Sequence, residues 1–110
     1  MTITKTKPAS KLAHMATALR EKAKTALKGT AYRRLDGGLH IVFQNNEGAC
    51  RLAIGREAPT TPSDTELRVV AEAFEAPPDS EPTLRQANWQ TPTTERTVIF
   101  NILELKWREL

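Results

Sequence analysis

The chain has 110 residues, of which 39% are hydrophobic and 26% charged, with one cysteine and a net charge of +3. This length allows a single domain with one core, and a single cysteine excludes an intrachain disulfide. No run approaches the roughly 18 apolar residues of a membrane helix, and the chain shows no signal peptide. We therefore expect a cytoplasmic protein with no membrane partner.

The N-terminal part of the chain divides into a polar arm and a helix. Residues 1–8 are basic and threonine-rich, and residues 9–110 are expected to form a single α+β domain. From Ala9 to Lys28, apolar residues recur at three- and four-residue spacing, which predicts an amphipathic helix that ends at Gly29. Its apolar stripe consists of Leu12, Met15, Ala16, Leu19, Ala23, Ala26 and Leu27.

Alternating residues and turn signals then predict a three-stranded antiparallel meander. Two turns that contain glycine, Asp36–Gly38 and Asn45–Gly48, separate its strands. The strands are predicted at Tyr32–Leu35, Leu39–Gln44 and Ala49–Arg56. Because side chains alternate between the two faces of a strand, one face of this sheet is apolar and is expected to be buried. That face consists of Leu39, Ile41, Phe43, Cys50, Leu52 and Ile54.

A second helix, a loop and a last strand follow. Ser63–Glu66 is a capping-box pattern, so a helix is predicted from there to about Glu75, before two prolines. Residues 77–95 carry four of the seven prolines and are predicted to form a long loop. The β-branched run at Thr97–Ile99 favours a strand to Trp107, although the apolar spacing also allows a helix. Apolar residues on both faces indicate that this strand is covered on both sides or meets a partner.

These elements predict an α+β fold: an N-terminal helix, a three-stranded antiparallel meander, a second helix and a C-terminal strand. Both helices are expected to pack on one face of the sheet. The element order of residues 9–76 resembles that of double-stranded-RNA-binding domains. The resemblance covers element order alone, because the second helix begins with an acidic run at Ser63–Arg68 where those domains carry lysines. It therefore assigns no RNA-binding residue.

Side chains suited to catalysis or metal binding are sparse. Cys50 lies on the predicted core face, as a small hydrophobic residue would. His14 and His40 are separated along the chain and give no zinc-ligand spacing with one cysteine. The chain also has no glycine loop that would cradle a phosphate. We therefore expect a protein that is not an enzyme and has no cofactor, no metal and no small-molecule substrate.

Charge is divided unevenly along the chain. Residues 1–34 hold nine lysines or arginines and one acid, Glu21, a balance of +8. Residues 35–110 hold seven basic and twelve acidic residues, a balance of −5. This asymmetry is typical of a segment that meets phosphates, an acidic partner or an anionic surface, and a solvated lysine face explains it as well.

Nucleic acid, either DNA or RNA, is the partner that this basic segment favours. Cations on one flank of the predicted helix continue into Arg33 and Arg34, a row that can follow a phosphate backbone without reading bases. Tyr32 either stacks on a base or packs on the first helix. Arg51 and Arg56 extend the row if their face is open. The predicted nucleic-acid-binding residues are Lys5, Lys7, Lys11, Arg20, Lys22, Lys24, Lys28, Tyr32, Arg33 and Arg34.

A protein-interaction module, such as an inhibitor, adaptor or assembly subunit, is the alternative. Trp89 lies in a polar segment and either anchors an interface or folds back onto the sheet. The last strand, with Trp107, suits strand addition to a partner or to a second copy in a homodimer. The basic helix could instead meet an acidic protein surface. A helix lying on a membrane is disfavoured, because the apolar stripe is rich in alanine and has no aromatic residue.

Overall fold

A computed structural model describes residues 8–25, 30–35, 37–89 and 98–109. Within these residues the fold is α+β, as predicted, with two helices and one five-stranded antiparallel sheet whose strand order is β1-β2-β3-β5-β4. The elements are α1 (Pro8–Thr25), β1 (Thr30–Leu35), β2 (Leu39–Asn46), β3 (Ala49–Glu57), α2 (Asp64–Ala73), β4 (Thr83–Asn88) and β5 (Ile99–Arg108). None of the helices in the described residues has the length and apolar character needed to cross a membrane.

Helix α1 begins at Pro8, because the first turn of a helix tolerates proline's missing N–H. Its predicted stripe packs on the sheet through Ala16, Leu19 and Ala23, which are buried. The predicted continuation over residues 26–28 and the stop at Gly29 lie outside the described residues.

The predicted meander forms from β1, β2 and β3, which pair in sequence order. Gly37 and Gly38 both have φ of +85°, a left-handed backbone conformation that glycine adopts without a steric cost. The six residues of the predicted apolar face are all buried. Both helices pack on that face, which we call the helix face; we call the opposite side of the sheet the far face.

The capping box predicted for the second helix is present at the start of α2. The Ser63 side chain accepts a hydrogen bond from the Glu66 backbone N–H at 3.1 Å, and the Glu66 side chain accepts one from the Ser63 backbone N–H at 2.9 Å. The helix ends slightly earlier than predicted, with Phe74 as its C-cap residue. The Phe74 ring stacks on Phe43 of β2 at a centroid distance of 4.5 Å, which fixes α2 on the helix face.

The prediction of a loop over residues 77–95 was wrong in part, because residues 83–88 form strand β4. This strand pairs antiparallel with β5, so the sheet has five strands rather than the four predicted. Four of its six residues are exposed, as suits an outer strand, and its polar composition hid it from pattern analysis. Residues 90–95 of the predicted loop lie outside the described residues.

The last apolar segment is a strand and not a helix. Strand β5 lies inside the sheet, paired with β3 on one side and with β4 on the other. Its alternate residues enter two apolar clusters, with Leu103 and Leu105 on the helix face and Phe100 and Ile102 on the far face. This position explains the apolar residues on both faces of the segment.

Candidate anion-binding surface

Four of the predicted basic residues cannot be placed from their side chains. Lys5, Lys7 and Lys28 lie outside the described residues, as does the side chain of Lys24. Lys22 is exposed on α1. The predicted row along one flank of the helix consists of Arg20, Lys24 and Lys28. Of these three, the structure describes the side chain of Arg20 alone.

Arg20 forms ion pairs within the protein. Its Nη2 lies 2.6 Å from the Oε1 atom of Glu75, the second residue after α2, and its Nη1 lies 4.0 Å from Oε2 of Glu21. The Arg20 side chain is 22% exposed, so it bridges the two helices more than it faces solvent. A phosphate at Arg20 would have to displace Glu75, which separates this residue from the other predicted cations.

Three predicted cations lie together at the opposite end of α1. Lys11, Arg33 and Arg34 line a cavity of about 410 Å³ between the first half of α1, the end of β1 and the start of α2. All three are exposed, and no ion pair or hydrogen bond joins their side chains to another residue in the described ranges. We call these three residues the basic rim.

Strand geometry distributes the two rim arginines between the two faces of the sheet. In the register of β1 and β2, Arg33 lies opposite Ile41 on the helix face, whereas Arg34 lies opposite His40 on the far face. Strand β1 is an outer strand of the sheet. An anion that approaches this edge therefore meets a guanidinium on each side of it.

A fourth arginine, Arg56 of β3, lines the same cavity but has a partner. Its Nη2 donates to Glu66 Oε2 at 2.5 Å and its Nη1 donates to the Gly37 carbonyl at 2.6 Å. Burial raises the pKa of Glu66, but hydrogen bonds from Arg56 and Ser63 outweigh it and leave this pKa below its ordinary value. Among the described residues that line the cavity, Glu66 is the one acid, and Arg56 neutralises it.

The other arginine of β3 belongs to a different surface. Arg51 lies on the far face, where its Nε donates to Glu104 and its Nη1 to Gln44 Oε1 at 3.4 Å. Arg85 of β4 lies 3.6 Å from the same Glu104 carboxylate. Of the two β3 arginines considered as extensions of the basic row, Arg56 therefore joins the cavity and Arg51 does not.

Tyr32 does not pack on the first helix, because β1 turns its side chain to the far face. Its hydroxyl lies 2.7 Å from Nδ1 of His40, within hydrogen-bonding distance. His40 is 4% exposed and meets the edge of the Phe100 ring at a centroid distance of 4.9 Å. Burial lowers the pKa of His40, and the nearby charge of Arg34 lowers it further, against a smaller opposing effect of Glu57.

Sequence reasoning missed this buried histidine. Alternation placed His40 on the less apolar face of β2, and one residue that covers it, Trp89, follows directly after the strand that was not predicted. The shared far-face position of Tyr32 and His40 is the signal in the sequence that would have paired them. Strand register puts alternate residues of neighbouring strands on one face.

The two tryptophans predicted as interface residues pack within the protein. Trp89 is half-buried on the far face, where its ring meets Phe100 edge-on at a centroid distance of 5.4 Å. Trp107 is half-buried on the helix face, 6.1 Å from the ring of Phe43. Both therefore contribute to the two apolar clusters, and β5 has a paired neighbour along each of its edges.

The remaining reactive side chains form no constellation in the described part of the chain. Cys50 is buried, and burial raises the pKa of its thiol, with a further contribution from Glu109. No three histidine, cysteine, aspartate or glutamate side chains within the described ranges are arranged to hold a metal ion. His14 is exposed on α1.

Comparison of the chain with protein-family models, curated proteins and solved structures finds no match in any of the three. The basic rim and the cavity beside it are the features of the structure that indicate a function.

Proposed function

We propose that this protein is a small, non-enzymatic nucleic-acid-binding protein that contacts the phosphate backbone through the basic rim. One observation supports this most strongly. Lys11, Arg33 and Arg34 are exposed together at one end of the molecule, and no acidic side chain in the described residues pairs with them. Cations held close together without counter-charges attract an anion and lower its free energy on binding.

The arrangement favours contact with phosphates over reading of bases. Guanidinium groups donate bidentate hydrogen bonds to phosphate oxygens, and a lysine ammonium binds them as a point charge. Tyr32, the one aromatic residue predicted to stack on a base, lies against His40. We therefore expect binding that depends strongly on salt and weakly on sequence.

A binding assay with labelled oligonucleotides of four forms, each in two sequences, tests the proposal. Fluorescence anisotropy is measured with single- and double-stranded DNA and RNA at about 50 mM salt, where counterion release favours binding. We expect saturable binding to at least one of the four forms, with affinities that differ little between sequences of the same form. Absence of binding to all four at low salt would remove the proposal.

The exposed side of β4 supports a second candidate function, a protein-interaction module that forms a homodimer or binds another protein. Strand β4 is the other outer strand of the sheet, and its Leu84 is 59% exposed. Ile99 of the neighbouring β5 is 52% exposed, which leaves two large apolar side chains near one edge. Outer strands with apolar side chains are the usual sites of strand addition.

Sedimentation equilibrium distinguishes the homodimer. If β4 pairs with a second copy, the native protein sediments as a dimer and Leu84→Lys sediments as a monomer, because a lysine on an outer strand opposes strand pairing. An exposed control, Arg68→Ala on α2, leaves the dimer intact. If the native protein remains monomeric throughout the concentration range, the homodimer is excluded.

A further inference from the structure

The cavity beside the basic rim has an apolar interior as well as charged walls. Side chains from three elements form that interior: Leu12 and Met15 from α1, Leu35 and Leu39 from the β1–β2 hairpin, and Val69 from α2. Leu39 is buried, whereas the other four are half-buried. A ligand that covers these half-buried side chains removes apolar surface from water, which lowers the free energy of the complex.

The position of the cavity follows from the way that α1 meets the sheet. Ala16, Leu19 and Ala23 pack closely on the helix face, but Leu12 and Met15, one turn earlier, are only half-buried. The end of α1 near Pro8 and the start of α2 therefore leave a space above the β1–β2 hairpin. Its volume, about 410 Å³, lies within the roughly 300–1,000 Å³ range of small-molecule pockets.

Charge around the cavity is one-sided. Lys11 of α1 and Arg33 of β1 both line the cavity, whereas Glu66 is bound to Arg56 and to the Ser63 backbone. Arg56 also holds the Gly37 carbonyl and is fixed in place. Within the described residues, a ligand that enters therefore meets cations that have no paired acid, together with apolar side chains.

We propose that this cavity binds an organic anion that carries a compact apolar body beside a single carboxylate or phosphate. The anionic head lies between Lys11 and Arg33, which satisfy it by charge-assisted hydrogen bonds. The apolar body covers Leu12, Met15 and Val69. Composition and motifs predicted no small-molecule ligand, because the walls come from five separate elements brought together by folding.

Displacement of a fluorescent anion tests the site. Anilinonaphthalene sulfonate combines a sulfonate with an aromatic body, and its emission rises in an apolar pocket. We expect saturable binding of one molecule per native chain, with displacement by decanoate or decyl phosphate, which separates the two kinds of head group. Acetate, inorganic phosphate and 1-decanol each lack one half of the ligand, so each should compete at least about tenfold less well. Equal competition by 1-decanol, or no saturable binding, would overturn the proposal.

Variants of two lining residues from different elements locate the bound anion. Val69→Phe fills the cavity and Arg33→Ala removes a head-group partner, so each should weaken binding about tenfold or more. Arg68→Ala, an exposed arginine on the same helix as Val69 but outside the cavity, is the matched control and should leave the affinity unchanged. If Val69→Phe loses its near-ultraviolet circular dichroism, Met15→Phe fills the same cavity from α1. Unchanged affinity in a folded cavity-filling variant and in Arg33→Ala would place the anion elsewhere and contradict the site.

The same variants separate this ligand site from the nucleic-acid proposal. Val69→Phe keeps all three cations of the basic rim, so it should bind oligonucleotides within about twofold of the native protein, since phosphate contacts carry that affinity. Loss of dye binding with retained oligonucleotide binding is the expected result. If the native protein binds the dye but no oligonucleotide, the ligand site is supported and the proposed nucleic-acid-binding function is wrong.

Discussion

The ring of Trp89 lies directly against the backbone of Gly55 in strand β3. A β-carbon placed on Gly55 would lie 2.9 Å from Cε3 of Trp89 and closer still to Cζ3. Real β-carbons essentially never approach other atoms this closely, so glycine at this position is required by contact with the ring. The absence of a side chain lets Trp89 cover the far face beside His40 and Phe100.

Replacement of Gly55 by alanine should destabilise the protein by about 1–3 kcal/mol, because the added methyl group overpacks the contact with Trp89. Urea unfolding followed by circular dichroism measures the change. In a Trp89→Ala background the same substitution should be neutral or stabilising, since alanine suits a strand better than glycine does. Equal costs in the two backgrounds would mean that Trp89 does not restrict position 55.

Arg34 should control the ionisation of His40. Because the Arg34 charge helps to lower the pKa of His40, Arg34→Ala should move that pKa upward, toward the ordinary value of 6.5. Titration of the His40 imidazole proton resonances by NMR measures it. The matched control is Arg33→Ala, which removes the same charge on the other face of the sheet. A similar shift in both variants would contradict the face assignment of the two arginines.

Glu66 should make stability depend on pH in the acid range. Its pKa is lowered in the folded state, so its contribution is complete above the unfolded-state pKa and is lost as pH falls through the folded-state value. Near pH 7, Glu66→Gln should cost about 1 kcal/mol, because the charged partner of Arg56 is gone. The difference from the native protein should shrink below about pH 4.5, near the ordinary glutamate pKa.

Denaturant unfolding at several pH values measures the Glu66 contribution. Glu72→Gln is the control, an exposed glutamate on the same helix with a cost expected within about 0.5 kcal/mol at every pH. A Glu66→Gln cost that stays constant down to pH 3 would show that the interaction with Arg56 is not ionic.

Local pattern predicted much of the fold, because the relevant signals are local. Turn glycines and strict alternation over β2 and β3 fix which side chains face the core, and the Ser63–Glu66 pair fixes the start of α2. Strand β4 escaped prediction because backbone hydrogen bonds to β5 define it, and residues of any polarity can supply those bonds. The face occupied by Tyr32, by contrast, follows from the register of the β1–β2 hairpin, which the short turn between the two strands sets.

The candidate site was predictable in its charge but not in its geometry. Composition drew attention to Lys11, Arg33 and Arg34, yet nothing local shows that Arg20 pairs with an acid 55 positions away. Arg56 reaches the same cavity through the antiparallel register of β3. Pairings of this kind depend on how distant segments pack, and a single sequence carries no signal for them.

The salt dependence of nucleic-acid affinity tests the central claim most directly. The triple variant Lys11→Ala, Arg33→Ala, Arg34→Ala removes the basic rim. The control Arg68→Ala, Lys106→Ala, Arg108→Ala removes the same net charge from exposed positions that do not line the cavity. Each phosphate contact contributes about 0.9 to the slope of log affinity against log salt for duplex DNA. We expect the magnitude of that slope to fall by about 2–3 in the rim variant and by less than about 1 in the control. Equal slopes in the two triple variants would contradict a phosphate-binding role for Lys11, Arg33 and Arg34.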